Sequence, residues 1–125
     1  MTRYYETIAE FERDGFDIVV DKTYEDMHPY DCFEADDIDE ISRKIDNGTY
    51  DWFMLRVRVM VEGLELGSAY LGGCLYSDAK EVLTDGIAED LIAGALIEAK
   101  SKVYRLSRVF GGLSEAVDRE GVLAV

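Results

Sequence analysis

From Tyr50 to Tyr76, apolar and polar residues alternate with a period of two on both sides of Glu62-Gly63. That period is the signature of strands with one buried face. A two-residue loop at Glu62-Gly63 sets Val61 opposite Leu64 and continues outward as Val59/Leu66, Val57/Ser68, Leu55/Tyr70 and Phe53/Gly72, a nearly apolar face. The other face takes Met60/Glu65, Arg58/Gly67, Arg56/Ala69, Met54/Leu71 and Trp52/Gly73. Exchanging the faces would carry Arg56 and Arg58 into the core, which the cost of desolvating charge forbids. Gly67, Gly72 and Gly73 in the second strand mark a bulge or the close approach of another backbone.

Residues 7–22 carry the same alternation around Asp14-Gly15, a strong short-range hairpin signal. Pairing outward gives Phe11/Ile18 and Ala9/Val20 on one face, with Glu12/Asp17, Glu10/Val19 and Ile8/Asp21 on the other. The competing reading is a helix from Tyr5 to Arg13, suggested by the spacing of Tyr4, Ile8 and Phe11; the Asp-Gly turn favours the hairpin. Pro29 keeps residues 23–35 irregular. A helix follows over DIDEISRKID, with Asp37 as N-cap, Glu40 as its capping-box partner, Ile38, Ile41 and Ile45 as the buried stripe, and Asn47-Gly48 as the stop.

After the central hairpin, Ser77 caps a short helix over DAKEVL, and Thr84-Asp85-Gly86 breaks it and opens a long helix from Ile87 to Phe110. Its seam is Ile92, Leu96, Ala99, Val103, Leu106 and Phe110, a heptad-like spacing that suits packing on the sheet or zipping to a second copy. Glu89 and Asp90 at its start and Lys100, Lys102, Arg105 and Arg108 toward its end complement the helix dipole. Gly111-Gly112 is expected to end it, leaving LSEAVDREGVLAV to add a turn or fray. The expected fold class is α+β: one domain over residues 1–125, an antiparallel sheet of about four strands (two hairpins), backed by one long C-terminal helix and shorter helices.

Charge sharpens the picture. The net charge is −14, and residues 1–50 hold 15 acidic against 5 basic side chains, so most of the acidity lies in the first half. Between residues 25 and 46, nine acids (Glu25, Asp26, Asp31, Glu34, Asp36, Asp37, Asp39, Glu40 and Asp46) face only Arg43 and Lys44. Such a field repels nucleic acid and anionic membranes and attracts basic protein surfaces. Thr2, Arg3, Glu6 and Glu10 interrupt any amino-terminal apolar run, and no apolar stretch reaches the roughly 18 residues of a membrane span. A cytoplasmic protein is expected, with Cys32 and Cys74 as free thiols.

No catalytic signature emerges. Three Cys and His residues in the whole chain (His28, Cys32, Cys74) are too few for a structural zinc site, and no Walker or dinucleotide-binding glycine pattern exists. Cys32 as a nucleophile with His28 as its base lacks an identifiable orienting group or oxyanion element. The expectation is therefore no enzyme, no cofactor and no metal. Arg56 and Arg58 share one strand face, where they either neutralise Glu10, Glu12 or Asp17 or contact a partner.

Carboxylates on adjacent helix turns lie roughly 5–6 Å apart, a spacing that imitates a phosphate row. Tyr24, Tyr30 and Phe33 stand among the acids as apolar anchors, with Trp52 across the sheet. The size, the acidity of YEDMHPYDCFEADDIDE and the lack of catalytic motifs resemble the small phage and mobile-element inhibitors of host defence, of anti-CRISPR or anti-restriction type. That class shares no common motif, so no residue role carries over from it. The resemblance implies a non-enzymatic inhibitor in a bacterial host cytoplasm. It would bind a nucleic-acid-processing defence complex through Glu25, Asp26, Asp31, Glu34, Asp36, Asp37, Asp39, Glu40, Tyr30 and Phe33, with Arg56 and Arg58 as a second contact, and mimic nucleic acid or grip a basic patch. The alternatives are a homodimeric accessory or scaffold module using the helix seam, and a small enzyme around His28 and Cys32.

Overall fold

Two left-handed turns organise the sheet. Asp14-Gly15 (φ 56° and 85°) joins strand β1, Glu6–Arg13, to β2, Phe16–Tyr24, and Glu62-Gly63 (φ 51° and 78°) joins β3, Asp51–Val61, to β4, Leu64–Tyr76. Positive φ at both loop positions matches the right-handed twist of the flanking strands. The computed structural model describes residues 3–120, the side chains of residues 35, 36 and 114–120 excepted. All four strands pair antiparallel in the order β1-β2-β3-β4. Helix α1, Ala35–Asp46, lies in the connection from β2 to β3, and helix α2, Ile87–Glu120, follows β4. The fold is α+β, with a strand where the competing reading put a helix over Tyr5–Arg13.

The register of the central hairpin differs from the one expected. Val61↔Leu64 and Met60↔Glu65 hold, but Val59 then faces Gly67, Val57 faces Ala69, Leu55 faces Leu71 and Phe53 faces Cys74. Leu66 is an extra residue in β4, and a second irregularity accompanies Gly73, whose φ is 69°. Each bulge shifts β4 by one residue and exchanges its faces. The first therefore turns Gly67 into the core and Tyr70 outward, and the second returns Cys74 to the core face; Leu71, opposite Leu55 between them, is exposed. In the first hairpin Phe11/Ile18, Glu12/Asp17, Glu10/Val19 and Ala9/Val20 pair as expected, but a shift at Ile8 sets Thr7, not Ile8, opposite Asp21.

The core is the layer between one sheet face and α2. Ile18, Val20, Phe53, Leu55, Val57 and Val59 meet Ala88, Ile92, Ala95, Leu96 and Ala99, with Val82 of a 3₁₀ turn, Ala79–Leu83, closing one side. That turn is capped by Asp78, whose Oδ1 accepts from the Lys80 N–H, and not by Ser77, which donates to Glu81. Asp85 accepts from the Ile87 N–H at the start of α2. Helix α1 begins two residues before the expected Asp37, after Glu34 in extended conformation and without a side-chain cap. Asp37 lies instead in its first turn, where the helix dipole stabilises a carboxylate.

Helix α2 runs through Gly111-Gly112 and reaches Glu120, 34 residues in all and about 51 Å long. Neither glycine adopts the left-handed conformation that would end a helix, and the following LSEAVDRE resumes helix-forming residues. The sheet covers only the amino-terminal half of α2. From Val103 to Leu113 every residue is exposed, including Val103, Tyr104, Leu106, Val109, Phe110 and Leu113.

Gly67 allows α2 to lie close on β4: a Cβ there would stand 2.2 Å from the Ala95 carbonyl oxygen and 3.0 Å from the Ala99 nitrogen. Both neighbours are helix backbone, so relief requires moving α2 off the sheet. Gly67→Ala is expected to cost about 1–3 kcal/mol, the range of a forced overpacking, measured as a lower urea midpoint at unchanged slope; an unaltered midpoint would refute the close contact.

Candidate interaction surface around Trp52 and helix α1

The chain leaving β2 is pinned to the sheet by Trp52 of β3. Trp52 Nε1 donates to the Met27 carbonyl oxygen at 2.9 Å, and the Phe33 ring lies 5.7 Å from the Trp52 ring. A 3₁₀ turn, Pro29–Asp31, is capped by His28, whose Nδ1 accepts from the Tyr30 N–H at 3.1 Å while the two rings stack at 4.5 Å. Proline at the first position of the turn explains why it forms, since its missing N–H would have no partner there. Tyr30 donates its hydroxyl to Asp39 of α1 at 3.3 Å. The loop and α1 thus form one surface, with α1 resting against the Pro29–Asp31 turn.

The expected contact residues divide into two sets. Glu25 is engaged inward: its carboxylate accepts from the Gly73 N–H at 2.7 Å and the Met27 N–H at 3.0 Å, tying the loop to the bulge of β4. Asp26 pairs with Arg3, and Glu40 pairs with Lys44 at 3.0 Å. Lys44 holds the Glu40 carboxyl below the usual range by hydrogen bond and by charge. Asp31, Glu34, Asp37 and Asp39 are exposed and make no ion pair among the described residues, and Tyr30 is exposed beside them while Phe33 is half-buried. The side chain of Asp36 lies outside the described residues.

Arg56 and Arg58 lie on the same face of β3 as Trp52, the face away from α2, and converge on Asp21. Its Oδ2 accepts from Arg56 Nε at 3.0 Å and Nη2 at 2.6 Å and from Arg58 Nε at 3.2 Å, while Thr7 donates to Oδ1 at 2.8 Å. Asp21 is 1% exposed. The expected partners Glu10, Glu12 and Asp17 are displaced for a topological reason. Asp21 pairs directly across from Arg56, Asp17 faces Met60, and Glu10 and Glu12 sit on β1, a further strand away. The Arg56 guanidinium also lies 3.4 Å from the Tyr5 ring centre, so the amino-terminal segment covers the pair. Both arginines are held within the fold.

Among the described residues no hydrogen bond joins His28 to Cys32. The imidazole Nδ1 is occupied by the Tyr30 N–H, and the exposed Cys32 Sγ lies 3.5 Å from the Met27 sulfur. Among the described residues no three Cys, His, Asp or Glu side chains gather as a metal-ligand set, and no helix is long and apolar enough to cross a membrane. Family models, curated proteins and solved structures give no match to the chain.

Ser42, which the sequence did not single out, and Asp46, counted among the acids but not among the expected contacts, complete a cavity of about 380 Å³. Ser42 and Asp46 of α1 line it together with His28, Pro29, Tyr30, Ile45 and Trp52. The Ser42 hydroxyl is buried and has no hydrogen-bond partner. The signal was present in the sequence: Ser42 stands on the stripe of Ile38, Ile41 and Ile45, a polar residue on an apolar helix face.

The two thiols differ in environment. Burial raises the Cys74 pKa to about 11, and its Sγ lies 3.5 Å from the Leu71 carbonyl oxygen. A chromogenic disulfide reagent at neutral pH is expected to label Cys32 alone, with Cys74 silent until denaturant is added, because the thiolate is the reacting form. Two equivalents of fast native labelling would contradict the burial of Cys74.

Proposed function

We propose that the protein is a non-enzymatic inhibitor that binds the basic, nucleic-acid-binding groove of a defence complex, a CRISPR-Cas effector or a restriction enzyme. The contact is the surface formed by the Pro29–Asp31 turn and the start of α1. The observation that supports this reading is the set of four exposed carboxylates, Asp31, Glu34, Asp37 and Asp39, without ion pairs among the described residues. Other carboxylates meet cations, Asp14 with Lys100, Asp21 with Arg56 and Arg58, Asp51 with Lys22, and Glu89 with Arg13, while Glu10, Glu12, Asp17 and Glu65 of the two hairpins are also exposed without an ion pair among the described residues. Unpaired acids on one surface of a chain with net charge −14 steer association toward positive grooves and disfavour other partners.

Purified Cas effectors and restriction nucleases, assayed for DNA binding and cleavage with added protein, test the proposal. Inhibition is expected at low salt, weakened at least about tenfold when salt is raised to about 0.5 M, since screening shortens the reach of exposed charges to a few ångströms. The combined Asp31→Asn, Asp37→Asn and Asp39→Asn variant is expected to lose at least about tenfold in affinity. Absence of a salt-sensitive target across these enzymes counts against it.

A second reading, a homodimeric accessory module, is favoured by the exposed half of α2. Val103, Leu106, Phe110 and Leu113 continue the stripe that Ile92, Leu96 and Ala99 bury on the sheet, and they repeat at alternating spacings of three and four residues. Arg105 and Arg108 lie away from that stripe on the helix surface. Light scattering is expected to give twice the 14.1 kDa chain mass, falling to the monomer in Leu106→Glu with Phe110→Glu; a monomer at high concentration removes this reading.

A further inference from the structure

The Gly72-Gly73 pair of β4 makes a notch that a single carboxylate fills. Neither glycine has a partner in the register with β3, where Leu55 faces Leu71 and Phe53 faces Cys74, so the bulge leaves backbone groups to be satisfied from elsewhere. The Gly73 N–H, aimed by a φ of 69°, donates to Glu25 Oε2 at 2.7 Å. A Cβ at Gly72 would stand 2.8 Å from the same oxygen, so the first glycine clears the path to the N–H of the second. Glu25 Oε1 accepts from the Met27 N–H at 3.0 Å, and the Met27 carbonyl oxygen accepts from Trp52 Nε1 at 2.9 Å. The Met27 backbone is thus clamped on both sides, just before the capped Pro29–Asp31 turn. From that turn Tyr30 donates to Asp39 of α1, whereas no side-chain hydrogen bond or ion pair among the described residues ties α1 directly to a strand. Ile38 buries its side chain, but apolar burial is non-directional and fixes no orientation.

We infer that Glu25 is a positioning residue for the acidic surface: it holds Met27, and through Met27 the turn and α1, in the place where Asp31, Glu34, Asp37 and Asp39 share one face. Charge counting made Glu25 a contact, yet its side chain is half-buried and turned to the sheet. A carboxylate accepting backbone N–H groups forms charge-assisted hydrogen bonds, about twice as strong as neutral ones, and this one joins segments 48 residues apart. Without that tie the exposed acids would spread over many orientations, and ordering them on encounter would cost affinity. Gly72 and Gly73 belong to the same device, the one by leaving room for the carboxylate and the other by presenting its N–H. The inference rests on the proposed binding through the exposed carboxylates and adds to it what sets their place.

Amide hydrogen exchange and the emission of Trp52, the only tryptophan, test this on the isolated protein. Glu25→Ala is expected to speed exchange across residues 27–39 at least about tenfold, the equivalent of one lost hydrogen bond to a charged group, and to shift Trp52 emission to the red while β2 and β3 stay protected. Glu25→Gln keeps the shape and an acceptor and is expected to recover part of the protection. Gly72→Ala is the decisive variant, because it leaves every charge in place and displaces the carboxylate from the notch. It is expected to speed the same amides, and adding Glu25→Ala to it is expected to change them by less than about twofold, since both substitutions remove one interaction. Unchanged exchange in Glu25→Ala, an inert Gly72→Ala, additive effects of the two, or protection lost evenly over the whole sheet overturns the inference. Binding to a target is expected to weaken in Gly72→Ala with its salt dependence unaltered, because no charge is removed. The outcomes separate: faster exchange without any salt-sensitive target would sink the inhibitor reading alone, and a salt-sensitive target bound equally well by Gly72→Ala would sink the positioning role alone.

Discussion

The contact of Gly67 with the backbone of α2 is the constraint on which the rest of the arrangement turns. A helix can approach a sheet this closely only where a strand offers no β-carbon, and the Ala95 carbonyl occupies the space one would need. For Gly67 to face the helix, β4 must be shifted by the bulge at Leu66; without it Gly67 would lie on the face of Arg58. Ala88, Ala95 and Ala99 keep the helix side of the contact equally shallow, while Ile92 and Leu96 fill the space beside them. The bulge, the glycine and the alanines are thus one device.

Committing α2 to one face leaves the other covered by the Pro29–Asp31 turn and α1 only at its Trp52 end, and charge does the covering around Asp21. Asp21 is buried although no secondary-structure element lies over it, because Arg56, Arg58, Thr7 and Tyr5 close around it. One carboxylate between two guanidiniums is costly to desolvate. Its geometry offsets that cost, since both carboxylate oxygens and two arginine side chains find hydrogen-bond partners. A polar cluster of this kind specifies register more than it adds stability: sliding β2 past β3 would strand Asp21 opposite an apolar neighbour. The short amino-terminal segment is held by the same logic, through Thr23 donating to the Tyr4 carbonyl oxygen and Arg3 donating to that of Tyr24.

Much of this was legible in the sequence where a local rule governs it. Asp14-Gly15 and Glu62-Gly63 announce their turns, and Phe53, Leu55, Val57 and Val59 announce the buried face of β3, because turn chemistry and period-two patterning act over a few residues. The bulges were announced only as glycines: Gly67 and Gly73 signalled an irregularity, but which residue is extra depends on where α2 lies, a nonlocal fact. Gly111-Gly112 misled in the opposite sense, since two glycines weaken a helix by about 1 kcal/mol each without ending it when helix formers follow. At the candidate site, charge counting found Asp31, Asp37 and Asp39, yet it could not see that Glu25 turns inward to the Gly73 N–H. Nor could it see Ser42 and Asp46 lining one cavity with Trp52, a residue of the sheet.

The acidic surface and the bare half of α2 belong to opposite ends of the sheet. Helix α1 connects the end of β2 to the start of β3, the end away from both hairpin turns, whereas Lys100 of α2 pairs with Asp14 in the first turn. Occupying one therefore does not obstruct the other. Charge separates them as well: from Ala99 to Leu113 the helix carries Lys100, Lys102, Arg105 and Arg108 and no acid, in a chain that is otherwise strongly negative. Where that segment meets its equivalent, like cations face each other, so a dimer there depends on the apolar stripe, with Arg105 and Arg108 turned away from it. A dimer joined along Val103, Leu106, Phe110 and Leu113 would direct two acidic surfaces outward, and a target with two basic grooves would then be held with an avidity beyond either contact alone. The inhibitor and the dimer are in this sense compatible readings, since each uses a surface that the other leaves free.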